Sequence, residues 1–268
     1  MYQKNLRRLS AGVFSLTLGV FSIAASAAPP DIVGIQAGMA PGDAYNAIRA
    51  FDTAHRVRSG QVAIPALLGA KPAVYAMAPE TENSTADDLY VNLTLPPNPQ
   101  QVWQIHRAIS NIPNPLEQIV ASLLQKYGSN YAKLLYNNYT WIFTDQGEPA
   151  NLSRADFNAC EYRMAPAVLL NLPAGGPQNT ETVANLPPLF NSFPQLADPN
   201  QFPQCQHLVW VKASISGAYP NSHLDIDISY PGLQHRTTYA LTSFFNGVAN
   251  KAQQQELKKN ELTAVPKL

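Results

Sequence analysis

Charge is scarce in this chain of 268 residues. Asp, Glu, Lys and Arg make up 13% of it, with 18 basic residues set against 18 acidic ones. No basic stripe occurs, so the electrostatic footprint required for nucleic acid or an anionic lipid surface is missing. Cysteine is nearly absent too: Cys160 and Cys205 are the two thiols, far apart, with no C-x-x-C pair. There is no G-x-S-x-G elbow, no H-E-x-x-H helix, no Walker loop and no G-x-G-x-x-G turn. Gly175-Gly176 is not followed by Lys-Ser or Lys-Thr, which leaves a phosphate cradle unsupported. No cofactor is expected on these grounds. Past residue 27 no apolar run approaches the roughly 20 residues that a spanning helix needs.

The beginning of the chain has the composition that the rest lacks. Lys4, Arg7 and Arg8 form a charged region, Ala11 to Ala25 is an apolar run, and Ala25-Ser26-Ala27 supplies small residues for cleavage. This reads as a secretory signal peptide over 1–27, cut after Ala27. An N-terminal anchor is the competing reading, but the run is short for one and Pro29-Pro30 end it sharply. No Cys follows it, which excludes lipobox-type lipidation. Removing three basic residues leaves 15 against 18 acidic ones, a formal charge of −3. Residues 28–268 suit a single exported domain with an ample core, with a possible sub-boundary near 150–160.

In an exported chain the even cysteine count favours a Cys160–Cys205 disulfide. The bridge would be worth ~4 kcal/mol in the chain-entropy model. Metal ligation and a reactive thiol are the alternatives. His207 stands two residues past Cys205, but no Cys or His lies at zinc spacing beside Cys160. Eight of the 23 prolines fall between the two cysteines. Proline removes backbone donors and restricts its neighbour, so neither a long helix nor a central strand is expected from Met164 to Gln204. Leu169, Leu170, Leu172, Leu186, Leu189, Phe190 and Phe193 are too apolar for a solvated linker, and a long irregular excursion packed on the body is expected.

Elsewhere the pattern is α+β. Ala44, Ile48 and Phe51 share one face of a helix with Pro41 in its first turn. Leu89, Val91, Leu93 and Leu95 alternate with Tyr90, Asn92 and Thr94, as in a half-buried strand. After "PPNPQQ", Val102, Gln104 and His106 alternate with Trp103, Ile105 and Arg107, which completes a hairpin. "NPLEQIVASLLQKYG" is a helix with Asn114 as N-cap, Pro115 at N1 and Gly128 as its stop. "YTWIFTDQG" is a strand and turn, and "HLVWVKASIS" and "HLDIDISY" form a second hairpin. A last helix from Thr237 to Lys259 is expected to bury Leu241, Phe244, Phe245 and Val248. Paired hairpins with helices between them imply an antiparallel sheet with packed helices on one face.

The stretch "VGIQAGMAPGDAYNAI" resembles the start of the helix–helix–sheet module in small outer-membrane-assembly lipoproteins of the SmpA/OmlA (BamE) type. Those modules open with a strand, a Gly-Met step and a capped helix. The resemblance covers residues 32–51; Ala40 stands where that pattern prefers Ser or Thr, and the lipidated Cys is missing. The whole layout is similar to uncharacterised bacterial exported proteins: the Gly-Met opening, "KYG", "WIFTDQG", paired cysteines and a terminal helix ending near "PKL". The resemblance implies location and architecture, with no activity attached. Gly38 is then read as a turn that other residues disfavour, and Met39 as an anchor for the helix start.

One constellation approaches chemistry. His223, Asp225 and Asp227, with Ser229, project from one strand face, because side chains alternate along a strand. An imidazole and two carboxylates could hold a divalent metal, with His235 or Asp145 approaching. As an EF-hand the loop fails, with Tyr230 in the Gly position and Arg236 in the terminal Glu position. Leu224, Ile226 and Ile228 supply a buried face, so the plainer reading of the acidic residues is a solvated one, and that reading is taken. Tyr127, Tyr131, Tyr136 and Tyr139, leading to Trp141, could form a sugar or peptide platform, but are read as sealing a core. Asn83, Asn92, Asn138 and Asn151 lie in N-x-Ser/Thr sequons, which carry little weight behind a bacterial-looking signal. The leading expectation is a non-enzymatic binding or interaction module, with another envelope protein as the partner expected in the periplasm. A metal-dependent hydrolase on the 223–227 strand is the enzyme alternative.

Overall fold

The computed structural model describes residues 28–69, 71–80, 87–134, 137–153, 155–156, 159–160, 181–182 and 198–263. The signal segment, the sequon at Asn83, Tyr136 and the apolar residues of the excursion from Leu169 to Phe193 lie outside the described residues.

The described chain opens with a hairpin of β1 (Asp31–Ile32) and β2 (Ile35–Gln36). Its two turn residues, Val33 and Gly34, both have positive φ, +50° and +82°. That is the signature of a type I′ turn, whose twist suits paired strands. At Gly38, φ +86°, the chain turns again. The Gly38 N–H donates to the Val102 carbonyl at 2.7 Å, and the Val102 N–H donates back to the Met39 carbonyl at 2.9 Å. The Gly-Met step is thus docked on a central strand, with Met39 packed on the core. It is a device for starting the domain.

Helix α1 (Pro41–Phe51) follows, with Ala44 and Ile48 fully buried. Phe51 departs from expectation: it is 37% exposed, at the last turn, where the Arg107 guanidinium stacks 4.9 Å from its ring centre. The sheet strands are β3 (Val57–Ala63), β4 (Ala73–Pro79), β5 (Asp87–Leu93), β6 (Val102–Ile112), β7 (Ala132–Leu134), β8 (Asn138–Thr144), β9 (Glu181–Thr182), β10 (Leu208–Ser216) and β11 (Ser222–Ser229). The short α2 (Pro65–Leu68) joins β3 to β4, and α3 (Leu116–Tyr127) joins β6 to β7. Spatial order is β7-β8-β10-β11-β6-β5-β4-β3-β9, antiparallel throughout except for β3 with β9. The two expected hairpins, β5–β6 and β10–β11, are present and meet edge to edge at the centre.

Helix α3 begins one residue later than expected. Pro115 has extended ψ, 151°, which places it at the N-cap, outside the helix. Asn114 does not cap; its Nδ2 donates to Gln118 Oε1 at 2.9 Å. Gly128, at φ +87°, ends the helix as expected. Helix α4 (Pro231–Thr263) begins before Thr237, because proline is tolerated in a first turn. Its Leu241 and Phe245 are buried against Val62, Ile64, Ala73, Tyr75, Ala76 and Leu95, with Phe244 only partly covered. Val248 is 40% exposed, which corrects the expectation of burial: the packed stripe ends at Phe245. The architecture is α+β, with the main core between α1, α3 and one sheet face.

Cys160 and Cys205 are bridged, with Cα atoms 5.4 Å apart. Both are buried with Leu208 and Trp210, and Ala150, Leu152, Ile142 and Phe202 pack around them. Short 3-10 turns at Pro199–Gln201 and Pro203–Cys205 lead into the bridge, as proline-rich irregular chain should. Among the described residues no helix is long and apolar enough to cross a membrane.

Candidate functional site

Both candidate sites depend on β6. Its register against β5 runs Asn92↔Gln104 and then Leu93↔Val102, so Trp103 is an extra residue. Against β11 it runs Leu224↔Ile109 and then Ser222↔Ile112, so β6 again carries one residue more than its partner, beside Asn111 at φ +58°. An added residue reverses the alternation of faces. Val102, Ile105, Arg107, Ile109 and Ile112 therefore lie on the core face, and Gln104, His106 and Ser110 on the other. The expected grouping of Val102 with Gln104 and His106 is corrected by this bulge: Val102 and Ile105 are both fully buried.

On the face away from α3, the predicted strand residues come together with partners from β5 and β6. The His223 Nε2 lies 3.1 Å from Asp225 Oδ1, and its Nδ1 lies 2.9 Å from Ser110 Oγ. Asp227 Oδ2 accepts from Gln104 Nε2 at 2.7 Å, and Gln104 Oε1 accepts from Asn92 Nδ2 at 2.9 Å. His106 stands between the carboxylates, 3.9 Å from Asp225 and 3.8 Å from Asp227, and stacks on Tyr90 with ring centres 4.6 Å apart. Burial, then the charges of Asp227, Asp88 and Asp225, push the Tyr90 phenol up to about 12. The acidic residues are thus half-buried members of a network rather than a free wet face. Among the described residues no group of three or more His, Cys, Asp or Glu is arranged to hold a metal ion. Asp145 is engaged elsewhere, with His207 at 2.7 Å and the Tyr230 hydroxyl at 2.8 Å, while His235 is buried near the start of α4. Ser110, His223 and Asp225 connect as hydroxyl, imidazole and carboxylate, an order that suits proton relay. Acyl transfer also needs donors aimed at a developing oxyanion. On this face of β6 the side chain next to Ser110, at Ala108, carries no donor.

The opposite face holds a groove that sequence reasoning missed. Helix α1 lies over β3 and β4, whereas α3 packs Tyr127 at a tilt against Trp141 of β8, with ring centres 5.5 Å apart. Between the two helices, β6 and β11 are left partly open. The resulting space, about 370 Å³, is floored by Ile109, Ile112, Leu224 and Ile226 and walled by Ile119 and Leu123. Ile32 and Val33 of the opening hairpin close one end. Arg107 and Lys126 are the charged residues of the lining. Arg107 donates from Nε at 2.9 Å and from Nη2 to the Asp87 carboxylate, and Lys126 lies 3.3 Å from Asp31. The Tyr127 hydroxyl donates to the Asp31 carbonyl at 3.0 Å, and burial raises its pKa well above the ordinary phenol value. Arg107 was the legible signal, a lone cation in the aliphatic row Ile105, Arg107, Ile109.

The aromatic run behaves as read, where it is described. Tyr127, Tyr139 and Trp141 are buried, Tyr131 packs on them, and the Trp141 indole donates to the Gly128 carbonyl at 2.8 Å. Comparison with known proteins finds no matching family model, no matching curated protein and no matching solved structure.

Proposed function

We propose that this chain is an exported, non-enzymatic binding module of the bacterial cell envelope, and that the groove beneath α3 is its ligand seat. The groove carries the reading: its volume, about 370 Å³, falls in the range of small-molecule sites, and an aliphatic floor and walls are joined in its lining by Asn114, Gln118, Ser122, Tyr127 and the two cations. Val33 supports it. A β-branched residue at φ +50° is strained, and such strain collects at functional positions. Export rests on the signal-peptide pattern of residues 1–27 and suits a buried disulfide, which persists in an oxidising compartment. The envelope assignment rests on the resemblance of residues 32–51 to outer-membrane-assembly modules.

Two measurements test this. Intact mass of protein recovered from the periplasm is expected to begin at Ala28; retention of residues 1–27 defeats the export reading. A neutral apolar fluorophore, 1-N-phenylnaphthylamine, is expected to bind saturably, and Ile112→Trp, filling the groove from its floor, is expected to abolish that binding. Unsaturable binding, or saturable binding that the variant leaves unchanged, removes the groove as the seat. Metal analysis of the same preparation addresses the hydrolase alternative, which stoichiometric metal lost in an Asp225→Asn/Asp227→Asn variant would restore.

A further inference from the structure

We infer that the occupant of this groove is a single-chain aliphatic anion of medium length, its tail on the isoleucine floor and its carboxylate at Arg107 and Lys126. The inference rests on the groove being a ligand seat and adds what is bound there. Volume sets the tail. At the ~30 Å³ that a water occupies in the liquid, the space takes roughly a dozen methylene-sized groups. That matches one unbranched chain of about that length.

Charge sets the head. Arg107 belongs to the face that packs the core, opposite Leu89 on one side and Ile226 on the other. Placing a cation in such a row is costly unless its donors are used. Asp87 takes Nε and Nη2, and among the described residues Nη1 has no hydrogen-bond partner. A guanidinium held by one carboxylate keeps further donors oriented for a second, in the geometry that carboxylates prefer. Lys126, one wall away on α3, is held by Asp31, which also accepts from the Gly34 N–H at 3.0 Å. The opening hairpin, the helix and the strand therefore fix both cations at one groove, each through an aspartate that is not part of its lining. Those aspartates offset the two charges, so head recognition depends on direct hydrogen bonds rather than on a net positive field.

The test compares sodium decanoate with 1-decanol, each below its aggregation limit, as competitors of the neutral fluorophore on the full mature protein at pH 7. Decanoate is expected to compete about tenfold more strongly, the size of one charge-assisted interaction. Lys126→Gln is expected to cut that preference severalfold, and Arg107→Gln to remove most of it. Asp31→Asn, which releases Lys126, is expected to increase it. If Arg107→Gln fails to fold by circular dichroism, the Lys126 and Asp31 variants carry the test, because both positions are partly exposed. Equal competition by decanol and decanoate overturns the head assignment while the groove stands. A decanoate preference unchanged in Lys126→Gln and Asp31→Asn overturns the assignment as well. Competition by neither, with the fluorophore bound, overturns the aliphatic tail. A fluorophore that does not bind at all defeats the groove itself.

Discussion

Val33 has the least comfortable backbone in the described chain for its side-chain type. At φ +50° its branched Cβ crowds its own carbonyl, and the first central position of a type I′ turn favours Asn. Val33→Asn should raise stability by about 1 kcal/mol in urea denaturation while weakening fluorophore binding. A variant that gains no stability would mean that the packing of Val33 outweighs its strain. Gly232 makes the opposite case. A Cβ there would collide with the Gln206 backbone, which cannot swing aside as a side chain can. Gly232→Ala should cost about 1–3 kcal/mol or more, read as a lowered denaturation midpoint. Asp145 has a pH signature. Burial pushes its carboxyl up, but hydrogen bonds from His207 and Tyr230 outweigh this and hold it below the ordinary 3.8. A lowered native pKa means that its contribution is complete above the unfolded value and lost as pH falls through the native one. The gap in midpoint between the natural protein and Asp145→Asn should therefore hold above the ordinary carboxyl value of 3.8 and narrow as pH falls below it.

At the scale of elements, much was legible. The helix at Pro41, the β5–β6 and β10–β11 hairpins, the stop at Gly128 and the cysteine bridge all follow from local rules: period, turn chemistry and redox compartment. What local rules omit is which hairpins become neighbours. His106 joins Asp225 and Asp227 because β6 pairs with β11, a contact between strands more than a hundred residues apart. The bulges in β6 were hidden for a similar reason, since an extra residue shows only against a partner. The limits of α4 were misjudged because proline in a first turn looks like a break. Beyond Phe245 the helix is exposed on every described side, so it holds together by propensity rather than packing. Amide exchange should be fast from Asn246 to Lys258 and slow around Leu241. Equal protection along α4 would reveal a covering surface on its outer half.

For the molecule as a whole, the Cys160–Cys205 bridge secures the route by which the proline-rich chain returns to the sheet. Both sulfurs are buried against Trp210 on the face that also carries the His106 network. Thiol labelling of the denatured, unreduced protein should find no free cysteine, and replacing both with Ala should cost up to ~4 kcal/mol. Strand β6 joins everything else. It holds a cation under α3 with one set of side chains and an imidazole against two carboxylates with the other, and two surplus residues keep those sets apart. The two faces of this strand are therefore more sensitive to a change in its length than to a change of one side chain. A substitution at His106 or Arg107 edits one side of the sheet, whereas loss of Trp103 or Asn111 removes a bulge and forces the part of β6 on one side of it to exchange inside for outside.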